Sequence, residues 1–255
     1  MNGNNGSNYA RLYGVGVGPG APDLMTLRSV ELLSRVDVIA IPRSNKYTKS
    51  VAWRIAEPNL PKVDGQERLI LDFPMTKDPK VLAPAWDIAF SKIGRRIEAG
   101  QEVAFICEGD PLFYSTFNYL KNQAQTRWPG IEIEIIPAVS SFTAVPSVIQ
   151  TTIADGQERV AVVPASYGLD EIPAILELFD TVLLMKVSSV MPQLVDVLRN
   201  CGVLENSVYV SKATMEHEKV VTDLTSIQND KCDYFSMVVI KQHERSGVLE
   251  GAVRG

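Results

Sequence analysis

The chain is poor in the residues that build metal centres and covalent scaffolds. Its 255 residues include three cysteines and two histidines. Cys107, Cys201 and Cys232 are odd in number, lie far apart and form no CxxC pair. That usage argues against a disulfide framework and a structural zinc site, and fits a reducing, cytoplasmic compartment. No apolar run approaches the ~20 residues that cross a bilayer. The opening MNGNNGSNYARLYG lacks the apolar core of a signal peptide. A formal net charge of -5 without a polybasic cluster argues against partnership with nucleic acid or a membrane surface. With 45% hydrophobic and 22% charged residues, the composition is that of a globular protein long enough to bury a real core.

What is present is an alternation of short apolar runs with stretches of helical period. Runs 12–18 (LYGVGVG) and 36–42 (VDVIAIP) read as strands. Between them Leu24, Leu27, Val30, Leu33 and Val36 recur at helical spacing. Strand, glycine turn, helix, strand is a βαβ unit, whose crossover implies parallel strands. Residues 87–100 read as an amphipathic helix closed by Gly100. A buried strand at 102–111, a helix from Phe113 and an alternating strand at 131–137 follow. Beyond Pro137 the spacing predicts a helix over 139–150 and another over 192–202. Strands are expected at 159–165, 181–187, 207–214, 219–224 and 234–241. Little room remains for helices between the last three, so this half is expected to contain antiparallel pairs. The reading is two α/β domains, 11–137 and 138–242, with a ligand cleft between them and disordered tails at 1–10 and 243–255.

Three small-residue motifs carry the chemistry. The first, Tyr13–Pro22 (YGVGVGPGAP), has the density of a nucleotide fingerprint but not its pattern. A GxGxxG match fails at its last position, no acid ends the second strand, and no GK[ST] follows. The second, 108–120 (EGDPLFYSTFNYL), puts Gly109, Asp110 and Pro111 at the carboxyl end of a buried strand, where open α/β sheets bind ligands. It reads equally as a helix start, with Asp110 at N-cap and Pro111 at N1. The third, 136–147 (IPAVSSFTAVPS), carries the Ser140–Ser141 pair at the domain boundary.

Taken in order, GVGVGPGAPDLMTLRS, EGDPLFYSTFNYL, IPAVSSFTA, LLMKV (183–187) and SKATMEHEKVVTDL (211–224) resemble the tetrapyrrole methylases across residues 10–242. Within that family the wording is nearest to members that act at C20 of precorrin-2 or cobalt-factor II. The resemblance implies a two-domain α/β fold, S-adenosyl-L-methionine as methyl donor, that tetrapyrrole as substrate, and a homodimer. It assigns donor contacts to Pro19, Gly109, Asp110, Pro111, Ser115, Thr116, Ser140, Ser141, Met185 and Ala213, largely through main-chain groups. Two positions depart from the family pattern: Ala21 stands where an aspartate is usual, with Asp23 as nearest substitute, and Ala138 where a glycine is usual. Ala138 is tolerable if its φ is negative.

Methyl transfer from a sulfonium needs alignment more than covalent help, with the reacting atoms held ~3–3.5 Å apart. Glu108 and Tyr114 are candidate bases for the proton shed by the methylated carbon. His217 sits in a charged stretch read as a solvated loop. Gly18, Arg43 and Lys46 are candidate substrate contacts, the cations facing substrate carboxylates. Rival readings are methylation at C11 or C17, a dinucleotide-dependent reductase, or a macrocycle carrier.

Overall fold

The computed structural model describes residues 10–44, 46–76 and 78–242. The expected tails fall outside these residues except for Ala10. The chain forms two compact units, divided between Ser140 and Ser141.

The first unit alternates strand and helix. Its strands are β1 (Leu12–Gly16), β2 (Val38–Arg43), β3 (Glu67–Asp72), β4 (Val103–Cys107) and β5 (Ile133–Ile136). Its helices are α1 (Leu27–Leu33), α2 (Val51–Ala56), α3 (Pro79–Glu98) and α4 (Phe117–Arg127). The sheet order is β3-β2-β4-β1-β5, with every pair parallel. All five residues of β1 and of β4 are buried, as strands covered on both faces require. One face packs Leu12, Phe105, Ile93 and Phe117 beneath α3 and α4; the other packs Val15, Ile39, Leu33 and Trp53 beneath α1 and α2.

The expected parallel crossover is present, yet β1 and β2 are not neighbours: β4 lies between them. From β1 the chain crosses β4 to reach β2, and from β4 it crosses β1 to reach β5. The two connections run in opposite senses, so the carboxyl ends of β1 and β4 form a topological switch point. Helix α1 is tied to that edge. Thr26 Oγ1 accepts from the Ser29 N–H at 3.1 Å, and Ser29 Oγ donates to the Gly16 carbonyl at 2.9 Å.

Several elements differ from the sequence expectation. The first strand stops at Gly16 rather than Gly18, because Ser29 Oγ takes the Gly16 carbonyl. Helix α3 begins at Pro79, capped by Asp78 through the Lys80 N–H, and ends at Glu98, with Gly100 (φ 79°) closing it as expected. Helix α4 starts at Phe117, not Phe113. Elements α2 and β3 lie in a segment whose apolar pattern is too short to announce them.

The second unit holds α5 (Ser141–Val148), β6 (Val160–Pro164), α6 (Ile172–Leu178), β7 (Thr181–Met185), α7 (Met191–Asn200), β8 (Ser207–Ser211), β9 (Lys219–Val221) and β10 (Ser236–Lys241). The sheet order is β6-β7-β10-β8-β9. Only β6 and β7 pair in parallel; the other pairs are antiparallel, the mixed character expected of this half. Strand β9 is half the length anticipated, ending at Val221 because Asp223 caps a 3-10 turn through the Thr225 N–H.

Candidate active site

Three of the motifs meet at the switch point of the first unit. Beyond β1 and β4 the backbones stay joined: Val17 N–H donates to the Cys107 carbonyl at 3.0 Å, and Gly109 N–H to the Gly18 carbonyl at 2.8 Å. Gly18 and Gly109 form an isolated antiparallel bridge, with φ of 86° and 64°. Both lie in the left-handed region that glycine enters without cost. The carboxyl end of β5 joins them through Asp110. Its Oδ2 accepts from the Ala138 N–H at 3.1 Å, and its Oδ1 accepts from the Leu112 N–H at 2.9 Å.

Asp110 therefore does not cap a helix. It closes a local turn and ties the β4 loop to the β5 loop, while α4 begins seven residues later. At that later start Ser115 Oγ accepts from the Phe117 N–H at 3.1 Å, and Thr116, the residue before α4, makes no capping bond with its side chain. Pro111 is buried and Thr116 exposed.

The alternating glycines have separate physical reasons. A Cβ on Gly14 would stand 2.4 Å from the Phe117 ring, so Gly14 makes room for α4. A Cβ on Gly16 would stand 2.5 Å from the Ala138 Cβ and 2.6 Å from the Gly109 carbonyl oxygen. The bareness of Gly14 and Gly16 is thus a packing requirement within the sheet and its loops. Gly109 is the contrary case: a Cβ there would meet nothing within 4 Å. Its backbone borders open space. Ala138 is absent from the residues of positive φ, so its methyl group is tolerated, as the sequence expectation required.

Titratable groups flank this edge. Glu108 keeps accessible surface but is crowded by surrounding atoms. Loss of water around its carboxyl raises its pKa, and the Ala52 N–H, bonded to Oε1 at 3.2 Å, opposes the rise. Burial pushes the neighbouring Cys107 thiol up to about 12, with a hydrogen bond to Ser115 acting the other way. The thiol is therefore protonated and inert at neutral pH. Tyr114 is exposed, has a φ of 50°, and packs its ring edge-on against Phe113 with centroids 4.8 Å apart.

Arg43 lies at the end of β2 already paired, its Nε 2.5 Å from Asp72 Oδ1. Lys46 places its Nζ 5.2 Å from the Tyr47 ring centroid. Pro19 lies half-buried after the Gly18 bridge, and Ala21 precedes a 3-10 turn whose Asp23 is exposed. Ser140 is buried at the end of the first unit.

In the second unit Met185 ends β7 and Ala213 follows β8. Strands β7 and β8 both pair antiparallel with β10, so their carboxyl ends share one sheet edge. Both residues pack against the cluster formed by Val145, Leu183, Val210, Met237 and Val239. Exposed His217 sits 3.6 Å from Glu216. Among the described residues no group of histidine, cysteine and acidic side chains could hold a metal ion, and no helix is long and apolar enough to cross a membrane.

Sequence reasoning missed the structural duty of Asp110 and the pairing of Arg43 with Asp72. Neither has a local signal, since both partners are remote in the chain. Known proteins resemble this chain over most of its length. A probable cobalt-precorrin-2 C(20)-methyltransferase of Methanocaldococcus jannaschii is 35% identical over 237 residues, covering 92% of this chain and 97% of that protein. A precorrin-2 C(20)-methyltransferase of a Sinorhizobium species is 30% identical over 243 residues, covering 92% and 96%. Among solved structures, a cobalt precorrin-4 methyltransferase superposes with a TM-score of 0.69 at 22% identity, covering 90% of this chain and 94% of that one. A uroporphyrin-III C-methyltransferase of Thermus thermophilus, complexed with S-adenosylhomocysteine, gives 0.64 at 17% identity, covering 95% and 100%. The family model for tetrapyrrole (corrin/porphyrin) methylases matches residues 11–228, and the chain belongs to that family.

Proposed function

We infer that the protein is an S-adenosylmethionine-dependent methyltransferase acting at C20 of precorrin-2 or its cobalt-containing counterpart, in cobalamin biosynthesis. The observation that carries this reading is the 35% identity to a C(20)-methyltransferase along 97% of that relative's length. Structural likeness at 17–22% identity speaks for the fold alone.

The residues at the switch point fit such a donor. Open space beside Gly109 admits a ligand against the main chain, where a side chain would otherwise stand. The polar side chains of the turn 108–116 are the Glu108 and Asp110 carboxylates and the Tyr114, Ser115 and Thr116 hydroxyls, none of them cationic, which suits a sulfonium. When bound, S-adenosylmethionine supplies a methyl group on a good leaving group. The chain then has to hold and orient. Gly109, Pro111, Pro19, Ser115, Thr116 and Ser140 are the proposed contacts from these loops; Ser141, Met185 and Ala213, in the second unit, are proposed contacts on the family resemblance alone. Asp110 acts by fixing the loops, its two oxygens both bonded to main-chain N–H groups. Gly18 is proposed to lie under the substrate.

Glu108 is a better candidate base than Tyr114. Its raised pKa brings it closer to the range in which a carboxylate accepts a proton efficiently near neutral pH. Tyr114 is assigned a contact role only. The family resemblance also supports a homodimer, and the composition supports a cytoplasmic location; sedimentation at several concentrations checks the first.

The deciding experiment incubates the protein with metal-free precorrin-2 and with cobalt-factor II, each with isotopically labelled donor, and locates the label by mass spectrometry and NMR. Label at C20 is expected. Label at C11 or C17, or none with either substrate, overturns the reading.

A further inference from the structure

The same sheet edge carries a second feature, at the ends of β2 and β3. A concavity of about 300 Å3 opens there, floored by Leu71, Pro74, Ala85 and Ala89, with Ile88 at the rim. Its two charged lining groups are Asp72 and Lys92. Asp72 is paired with Arg43. Lys92 is half-buried and, among the described residues, makes one hydrogen bond, a long one of 3.3 Å to the Ile70 carbonyl. Among the described residues no carboxylate oxygen lies within 4.0 Å of its Nζ. An ammonium has three donors, and one bond to a carbonyl leaves two of them for water or an anion.

The surrounding charge has the same sense. The Arg43 hydrogen bond holds the Asp72 carboxyl below its usual range, and the fields of Lys92 and Lys46 add to that. Arg43, Lys46 and Lys92 thus surround one acid, a local positive excess in a chain whose net charge is -5. Asp72 balances Arg43 and leaves Lys92 unmatched. An apolar floor with a cation at its wall suits a short hydrocarbon arm ending in a carboxylate.

We propose that this concavity is a subsite for one peripheral carboxylate arm of the tetrapyrrole, with Lys92 as its ion-pairing residue and the Leu71–Ala89 floor taking the methylene groups. The proposal rests on the substrate class inferred above. Its position is consistent with that class: β3 is two strands from β4, which at about 4.8 Å per strand puts the concavity roughly 10 Å along the edge from the Gly109 turn. A macrocycle lying over that turn extends its carboxylate arms over such a distance.

The test uses uroporphyrin III, a stable tetrapyrrole with eight carboxylates, titrated into the full chain and followed by its fluorescence at several salt concentrations. Lys92→Met is expected to weaken binding about tenfold, as loss of a charge-assisted contact does. It should also flatten the salt dependence, while Lys92→Arg retains both. Ile88→Asp and Ile88→Lys guard against a folding artefact, since Ile88 is 59% exposed. The aspartate should weaken binding and the lysine should preserve or tighten it. S-adenosylhomocysteine affinity should be unchanged in every variant. Wild-type affinity and salt slope in both Lys92→Met and Ile88→Asp would overturn the subsite. Failure of wild type to methylate precorrin-2 would instead count against the proposed reaction, because the binding titration does not depend on turnover.

Discussion

Single residues at the switch point separate into those the fold needs and those a ligand needs. Gly16→Ala places a methyl group 2.5 Å from the Ala138 Cβ and 2.6 Å from a carbonyl oxygen. Overpacking of this kind costs about 1–3 kcal/mol, and the urea midpoint should fall accordingly. Adding Ala138→Gly should recover only part of the loss, because the Gly109 carbonyl remains. Gly109→Ala meets no neighbour and pays only for its left-handed φ, about 1–2 kcal/mol. Gly109→Trp should abolish donor binding in calorimetry while the circular dichroism stays native, since the bulky side chain projects into the open space. Undiminished binding would mean that the donor lies elsewhere. Glu108 gives a pH signature. Its folded pKa is raised, so the native state holds the proton more tightly than the unfolded chain does. Stability on its account is greatest below the unfolded value of about 4.3 and falls as pH rises through the folded value. Glu108→Gln should remove that decline, seen as thermal midpoints less sensitive to pH within that window. Identical pH profiles for variant and wild type would remove the physical basis for treating Glu108 as the base.

At the scale of elements, the site is an arrangement of strand ends. Parallel pairing brings the carboxyl ends of β1, β4 and β5 to one edge, and Asp110 locks the last two loops together. Asp110→Ala removes acceptors for two main-chain N–H groups, worth about 1–2 kcal/mol in sum. The consequence for function should exceed that for stability, because the loop bearing Gly109 loses its tie to Ala138. Faster hydrogen exchange at the Ala138 amide, with a raised dissociation constant for S-adenosylhomocysteine, is the expected pair of observations. Normal exchange with weakened binding would make Asp110 a direct contact rather than a positioning residue. Helix α1 serves the same edge from the other face, through the Ser29 hydroxyl on the Gly16 carbonyl.

At the scale of the molecule, the two units differ in kind. The first is an all-parallel sheet with a switch point, an architecture that collects loops at one edge. The second is a mixed sheet whose β7 and β8 ends bring Met185 and Ala213 together by way of β10. A donor bound to the native chain stabilises it by mass action: S-adenosylhomocysteine at 100 times its dissociation constant should add about 2.7 kcal/mol. The midpoint of thermal unfolding should rise with ligand concentration on that scale. No shift at saturating ligand would show that the folded chain does not bind it.

The amino-acid order by itself determined a good deal. Short β-rich runs marked nine of the ten strands among the described residues, and for the fully buried β1 and β4 the reason is that burial on both faces demands continuous apolar residues. Gly100 announced the end of α3, since few other residues take a φ of 79° without strain. The small-residue motifs carried the family, as local backbone demands leave a local record. Other features were decided only in three dimensions. Insertion of β4 between β1 and β2 is a choice of pairing partner, which no local period encodes. The clash that keeps Gly14 bare comes from Phe117, and the cation that Arg43 presents is shared with Asp72; both partners are distant in sequence. Lys92 looks like any helical lysine until folding sets it beside an apolar floor where, among the described residues, no carboxylate oxygen lies within 4.0 Å of its Nζ. Propensity and periodicity act between near neighbours along the chain, whereas pairing order, steric exclusion and charge balance depend on which remote segments the fold brings into contact.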